Sequence, residues 1–319
     1  SGGIDPWFNG KLTMAVSADN SVEIEEAYVQ TSALPAGLSL RAGRYLAAIG
    51  YLNDKHAHTW NFIGAPLAYQ AFLGGQLGQD GLQLRTVLPT DTFIELGGGI
   101  GNAELFSNEG TNRKKPGTAT LFAHTGGDVG ASNSWRAGLS MLWGKSTDQT
   151  SETAGAGDSL VTSAFSGNTR VAIIDGVWKW APNGNAKQSN LTLQGEYLWR
   201  KMSGSLVYDS TNTAVDDLYR ANQGGWYAQA VYQFSPQWRV GLRYDQLNLG
   251  NVDAYSNASN LYLPAYSPKR ATLMFDWSPS EFSRVRLQFA SDKSRYGLTD
   301  NQFMIQYQMS LGAHGAHSY

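Results

Sequence analysis

The sequence FMIQYQMSLGAHGAHSY, residues 303–319, ends the chain and indicates the fold class. Apolar Phe303, Ile305 and Tyr307 occupy one parity, and Gln306 and Gln308 occupy the other. A period of two predicts a β-strand with one apolar and one mostly polar face. Such a strand at the C-terminus is typical of the closing strand of a transmembrane β-barrel. Strands of soluble antiparallel sheets alternate in the same way, so the rest of the chain must decide.

The same alternation recurs through most of the chain. Clear examples are residues 135–143, 226–234, 238–244 and 271–277. The pattern predicts an all-β, antiparallel protein with about 14 strands in a single domain covering residues 1–319. The first and last strands run in opposite directions, so we expect them to pair and close a barrel.

Connections between the predicted strands alternate between short and long from Leu38 onward, with long loops predicted at 146–168 and up to Gln223. Outer-membrane barrels have this asymmetry, whereas a soluble β-sandwich or β-helix has no reason to keep it. Aromatic residues also gather beside the short turns, as in the interfacial girdle of a membrane barrel. They are Phe93, Trp135, Trp180, Phe234, Trp238, Trp277 and Phe282. Together these patterns favour a bacterial outer-membrane location.

Composition excludes several other classes of protein. The chain has 319 residues, a formal charge of -2 and no cysteine, so disulfides and thiolate metal sites are excluded and nucleic acid is not an expected partner. Charged residues make up only 16%, while aromatic residues make up 12%. A barrel with a lipid-facing exterior and a polar lumen has such a composition.

Residues 51–80 form the longest stretch without clear alternation. The segment is rich in aromatic residues and glycine, which is unlike a solvated linker. Long connections in compact folds are usually functional or disordered. We therefore expect a long loop that folds into the lumen and narrows it.

Several stretches resemble a family of Gram-negative outer-membrane proteins. They are VEIEEAYVQ at 22–30, the run from LPAGLSLRAGRY to YQAFLGG at 34–75, DGLQLRTVLPTDTFIELG at 80–97 and the C-terminal stretch. Members of that family are described as porin-like proteins or as zinc-regulated TonB-dependent outer-membrane receptors, and the resemblance extends more weakly to phosphate-selective porins. It implies about two further strands ahead of IDPWF at 4–8, so either the barrel has 14 strands or two are missing and the intact barrel has about 16. TonB-dependent transporters have about 22 strands and a plug, so we expect a passive channel instead.

Charged side chains, nearly all on the polar face of the predicted strands, are candidates for lining the pore. They are Arg41, Arg44, Arg85, Glu95, Arg136, Glu196, Arg200, Arg239, Arg243, Arg284 and Arg286. Rings of charge set the selectivity of pores, and the excess of arginine would favour anions. The alternative is that these charges pair across strands and support the wall. Arg44 is the residue we expect at a constriction, although its parity matches that of Leu38 and Leu40.

Asp54, His56 and His58 form the densest group of side chains able to bind a metal. A His-x-His sequence in extended backbone places both rings on one face, and imidazole suits zinc. The alternative is that these histidines make ordinary hydrogen bonds inside the barrel. We expect no resident cofactor unless this group binds zinc.

Three hypotheses for the function follow. The first is passive diffusion of small polar or anionic solutes through an outer-membrane porin. The second is a channel for metal uptake that uses the loop histidines. The third is an occluded structural barrel in an envelope complex. Outer-membrane lipid, including lipopolysaccharide, and a homo-oligomer such as a trimer are the expected partners. We do not expect an enzyme, because no catalytic motif surrounds His124, a histidine on the polar face of its strand.

Overall fold

We analysed a computed structural model of the chain. It describes residues 2–16, 20–32, 34–106, 116–154, 160–261 and 264–311. The end of the C-terminal stretch, residues 312–319, lies outside the described residues. Secondary structure in the described part is almost entirely β.

The sheet contains 16 strands, and two of them, β1 and β13, are only 2 and 3 residues long. The remaining 14 strands confirm the predicted all-β class and strand number. In chain order the strands are β1 Gly2–Gly3, β2 Phe8–Val16, β3 Val22–Thr31, β4 Leu38–Leu46, β5 Gly78–Val87, β6 Phe93–Asn102, β7 Thr118–Val129, β8 Asn133–Ala154, β9 Leu160–Trp180, β10 Asn190–Tyr208, β11 Val215–Ser235, β12 Trp238–Leu247, β13 Asn251–Asp253, β14 Lys269–Ser280, β15 Ser283–Lys293 and β16 Asp300–Met309.

Every long strand pairs antiparallel with its neighbours in sequence, so the sheet is a simple up-and-down meander. The small strand β13 pairs with β11 outside this path. In the described part of the chain no ladder joins β16 to β1 or β2, so these strands form the two edges of the sheet. The expected pairing of the first and last strands is therefore not observed among these residues.

One face of the sheet is apolar and exposed. Leu139 and Leu242 are each 61% exposed, and Ile305 is 67% exposed. The predicted aromatic residues beside the short turns also lie on this face, where Trp238 stacks on Trp277 with ring centroids 5.9 Å apart. An apolar band edged by aromatic rings is the surface that hydrocarbon lipid stabilises.

Four consecutive strands are much longer than a membrane crossing requires. Strands β8, β9, β10 and β11 contain 22, 21, 19 and 21 residues, whereas a tilted transmembrane strand needs about 9–11. Their ladders continue to Ala154 opposite Leu160 and to Tyr208 opposite Val215. The long loops predicted at 146–168 and up to Gln223 are therefore wrong, because these polar residues extend the sheet beyond the apolar band.

Residues 47–77 connect β4 to β5 and contain the α-helix α1, Leu67–Leu73, and a short 3-10 turn at Ala57–Thr59. Residues 78–80, which the sequence analysis assigned to the loop, belong to β5 instead. No helix among the described residues is long and apolar enough to cross a membrane. Helix α1 ends at Gly74, whose φ of 66° is readily adopted by glycine.

Candidate functional site

The connection 47–77, named here the lumen segment, packs against the inner face of the sheet. Ile49, Tyr69 and Phe72 are almost completely buried, and they share one apolar cluster with Leu142 and Leu198 of the wall. These two leucines lie on the inner faces of β8 and β10, next to polar residues such as Ser140 and Glu196. The segment is therefore held in place partly by burial of apolar surface.

Glu196 on β10 is the main polar anchor of the lumen segment. Its carboxylate accepts hydrogen bonds from the backbone N–H groups of Tyr51 and Leu52 at 3.0 and 3.2 Å. It also accepts from the hydroxyls of Tyr69 at 2.8 Å and Tyr227 at 2.5 Å. Burial, followed by the charge of Glu196, raises the pKa of Tyr69 well above its ordinary value. The phenol therefore remains protonated and keeps donating to Glu196.

Arginines on the wall from β10 to β15 donate hydrogen bonds to backbone carbonyls of the lumen segment. These carbonyls lie outside the strand ladders, and the arginines supply donors to them. The donor and acceptor pairs are Arg284 with His58, Arg286 with Trp60, Arg243 with Gly64, Arg270 with Ala65 and Arg200 with Ala71. Because each arginine reaches a different carbonyl, the segment is fixed along its length.

Two buried aspartates balance the charge of four of these five arginines. Asp276 lies 2.7 Å from the Nε of Arg286 and also contacts Arg239 and Arg284. The second is Asp245, whose carboxylate lies 3.0 Å from the Nε of Arg243 and accepts a hydrogen bond from the backbone of Leu67. On this side of the interior, the arginines are used to support the wall and the segment.

The opposite wall, from β3 to β8, carries charges that are less completely paired. Arg41 donates to Gln30 and lies over the ring of Tyr28 at 4.2 Å. Arg85 lies 3.6 Å from Glu95, and Glu95 in turn lies 2.9 Å from the Nδ1 of His124.

Arg136 contacts the ring of Tyr51 at 5.1 Å. Among the described residues it has no carboxylate within ion-pair distance. A cavity of about 400 Å³ with a mixed polar and apolar lining opens beside Arg85 and Glu95, near the turns that join β3 to β4 and β5 to β6. It has room for water beside these two side chains.

Sequence reasoning did not single out Arg270, Tyr227 or Asp175 as candidate site residues. Arg270 and Tyr227 lie on the inner parity of their strands, so alternation alone could have found them. Asp175 is only 4% exposed, and neither of its oxygens has a hydrogen-bond partner among the described residues. It lies directly opposite Glu196 in the ladder, so two buried carboxylates stand side by side.

Arg44 is the one predicted pore-lining residue that faces the other way. Strand β4 keeps an unbroken register with β5, so Arg44 shares the outward face with Leu40 and with Leu84. Its side chain is 50% exposed and pairs with Asp80 at 2.7 Å. The expected constriction at Arg44 is therefore wrong, because no bulge in β4 reverses its parity.

The predicted metal-binding group does not converge on one point. His56 Nε2 lies 2.6 Å from Glu26 and its Nδ1 lies 3.2 Å from Glu25, while the ring of His58 stacks on that of His56. Asp54 lies near Lys55 instead. In the described part of the chain, no three His, Cys, Asp or Glu side chains are arranged to hold a metal ion.

Comparison with known proteins provides one sequence relative. No protein-family model matches the chain. A protein of Aquifex aeolicus (strain VF5) described as "Uncharacterized protein" is 30% identical over 334 residues, covering 99% of this chain and 67% of the relative.

Solved structures with the same fold are outer-membrane proteins. The trimer form of OmpT from Vibrio cholerae has a TM-score of 0.54 at 9% identity, covering 96% of this chain and 87% of that one. The outer-membrane channel DcaP of Acinetobacter baumannii has a TM-score of 0.55 at 14% identity, covering 95% of this chain and 80% of that one. At these identities the likeness shows the fold, which is that of outer-membrane β-barrels.

Proposed function

The chain belongs to the same family as that Aquifex aeolicus protein, and we propose that it is an outer-membrane channel for passive diffusion of small polar solutes. The observation that carries the proposal is the position of the lumen segment. Glu196 and the arginines of β10 to β15 hold it, His56 joins it to Glu26 on β3 at 2.6 Å, and a cavity of about 400 Å³ lies beside Arg85 and Glu95.

The exterior supports a membrane location for this channel. Leucines near the middle of the strands, such as Leu139 and Leu242, are more than half exposed. The inner face carries polar side chains that could line a water-filled path, including Gln30, Arg85 and Glu95. This division of faces is the one found in membrane barrels with an aqueous lumen.

We further propose that the path favours anions. On the side of the cavity, Arg41 and Arg136 face the interior with no ion-pair partner among the described residues, whereas Arg85 pairs with Glu95, and Lys11 pairs with Glu26. On the opposite wall, Asp245 pairs with Arg243 and Arg270, and Asp276 pairs with the arginines of β12 and β15, so these arginines contribute less to selectivity. Unpaired positive charge along a narrow path raises the local concentration of anions.

Recordings from planar bilayers test the proposal. The full chain, reconstituted at low protein concentration, should insert in discrete conductance steps that are small because the lumen segment occupies part of the interior. Folding of the same preparation is checked by its resistance to protease in vesicles. A folded, inserted protein that gives no steps would overturn the channel and favour an occluded structural barrel.

A further inference from the structure

Four basic side chains form a cluster on the outward face of the sheet, beyond the apolar band. They are Lys145 on β8, Arg170 on β9, Lys201 on β10 and Arg220 on β11, and all four are exposed. Each has the outward parity of its strand, as shown by Trp143 and Trp199, which lie two residues before Lys145 and Lys201. We name these four residues the outer basic cluster.

The ladder places these charges next to one another. Arg170 lies directly opposite Lys201. Lys145 pairs with Asn168, two residues from Arg170, and Arg220 pairs with Ser203, two residues from Lys201. Directly opposed side chains lie about 4.5–5.5 Å apart at Cβ, and like charges there are destabilising. The arrangement therefore favours an anion bound between the strands.

One carboxylate, that of Asp253 on β13, lies directly opposite Arg220 in the ladder. In the part of the chain that the structure describes, none of the four members of the cluster forms an ion pair within 4.0 Å. The contrast is Arg44, also outward and at the same end of its strand, which pairs with Asp80. The outer basic cluster, with four cations beside one carboxylate, thus presents a net positive charge to its surroundings.

The position of the outer basic cluster along its strands indicates which part of the membrane surrounds it. Lys145 follows Trp135, which lies beside a short turn, by about ten residues, the length of a tilted transmembrane strand. The same separation holds between Arg170 and Trp180, on the neighbouring strand. The cluster therefore lies at the headgroup level of the leaflet on the side of the long connections, which in outer-membrane barrels is the external side.

We propose that the outer basic cluster binds the phosphate groups of the phosphorylated glycolipid, lipopolysaccharide, in the outer leaflet. Arginine and lysine form strong, charge-assisted hydrogen bonds to phosphate oxygens. Four adjacent cations suit a headgroup carrying two phosphates better than a lipid carrying one. The inference rests on the membrane location in the proposed function, but it does not require that the barrel conduct.

Binding of bisphosphorylated lipid A to the full chain in detergent micelles tests this proposal. The dissociation constant is measured by native mass spectrometry for the unmodified protein and for a variant with Lys145→Gln, Arg170→Gln, Lys201→Gln and Arg220→Gln. We expect affinity to fall by about tenfold or more in the variant, because basic side chains near a membrane surface attract anionic headgroups. Lipid A from which both phosphates have been removed should bind both proteins equally weakly.

The matched control is the double variant Arg44→Gln with Asp80→Asn, which removes an outward charge pair at the same end of the barrel without changing net charge. It should bind lipid A like the unmodified protein. Unchanged affinity in the fourfold variant would overturn the proposal, as would equal binding of phosphatidylglycerol by the unmodified protein. Because the assay reads lipid binding alone, its failure is distinguishable from an absence of conductance.

Discussion

The hydroxyl of Tyr69, in helix α1, donates a 2.8 Å hydrogen bond to the carboxylate of Glu196 on β10. This contact joins the middle of the lumen segment to the wall, far away in sequence. The same carboxylate accepts from Tyr227 and from two backbone N–H groups of the segment. The position of the segment, and with it the width of the interior, therefore depends strongly on one side chain.

Replacing Glu196 should loosen the lumen segment. In Glu196→Ala, the N–H groups of Tyr51 and Leu52 lose their acceptor, and each buried donor left unpaired costs about 1–3 kcal/mol. We expect larger and noisier conductance steps in planar bilayers. Glu196→Gln retains an acceptor oxygen and is the control, which should lie between Glu196→Ala and the unmodified protein. Identical conductance in all three would show that the segment does not limit the path.

Removing Arg286 should destabilise the folded barrel. Arg286 is only 1% exposed and bonds to Asp276 and to the carbonyl of Trp60. The variant Arg286→Met leaves a buried carboxylate with less compensation, at a cost of about 3–5 kcal/mol. Urea unfolding in lipid vesicles measures the change.

Arg44→Met is the matched control for this comparison. It breaks the exposed pair with Asp80, which contributes about 0–1 kcal/mol. A loss of stability as large in Arg44→Met as in Arg286→Met would contradict the assignment of these two residues to opposite faces.

Reversing the charge of Arg136 should change ion selectivity. Arg136 faces the interior beside Tyr51 and has no ion-pair partner in the described part of the chain. In Arg136→Glu, the reversal potential under a salt gradient should shift toward cations, with a several-fold change in permeability ratio. Arg44→Glu, on the outward face, makes the same change of charge outside the lumen and should leave the reversal potential unchanged. A shift caused by Arg44→Glu alone would place the path elsewhere.

A charge in the middle of the apolar band should hinder folding in a bilayer. Leu139 is 61% exposed and lies near the middle of the stretch between Trp135 and Lys145. On a lipid-facing position at the bilayer midplane, Leu139→Arg costs about 2–4 kcal/mol. At an exposed position facing water, the same substitution would change stability by about 0.5 kcal/mol or less. Equilibrium folding into vesicles distinguishes these results.

Alternation in the sequence was sufficient to predict the fold class, the number of long strands and the facing of nearly all the candidate residues. Arg243 and Arg286 lie inward, as their parity required. The departure is Arg44, whose expected place at a constriction goes against the parity that it shares with Leu38 and Leu40. A strand without a bulge keeps the parity of its neighbours, so the local pattern was the better guide.

The sequence alone does not indicate which residues form hydrogen bonds with one another across the interior. Nothing near Glu196 in sequence indicates that it accepts hydrogen bonds from residues 51 and 52, because long-range contacts depend on how the segment packs. The polar composition of 146–168 also predicts a loop where the strands continue. There the strands leave the membrane, and water can face both sides of the sheet, so the apolar alternation ends although the ladder continues.

Contact between the apolar outer face and hydrocarbon is the central claim, and a single spin label tests it most directly. The chain has no cysteine, so Leu139→Cys gives one attachment site in the vesicle-inserted protein. We expect the label to collide often with oxygen, which concentrates in the bilayer, and rarely with a water-soluble nickel complex. Frequent collisions with the nickel complex and few with oxygen would contradict the central claim.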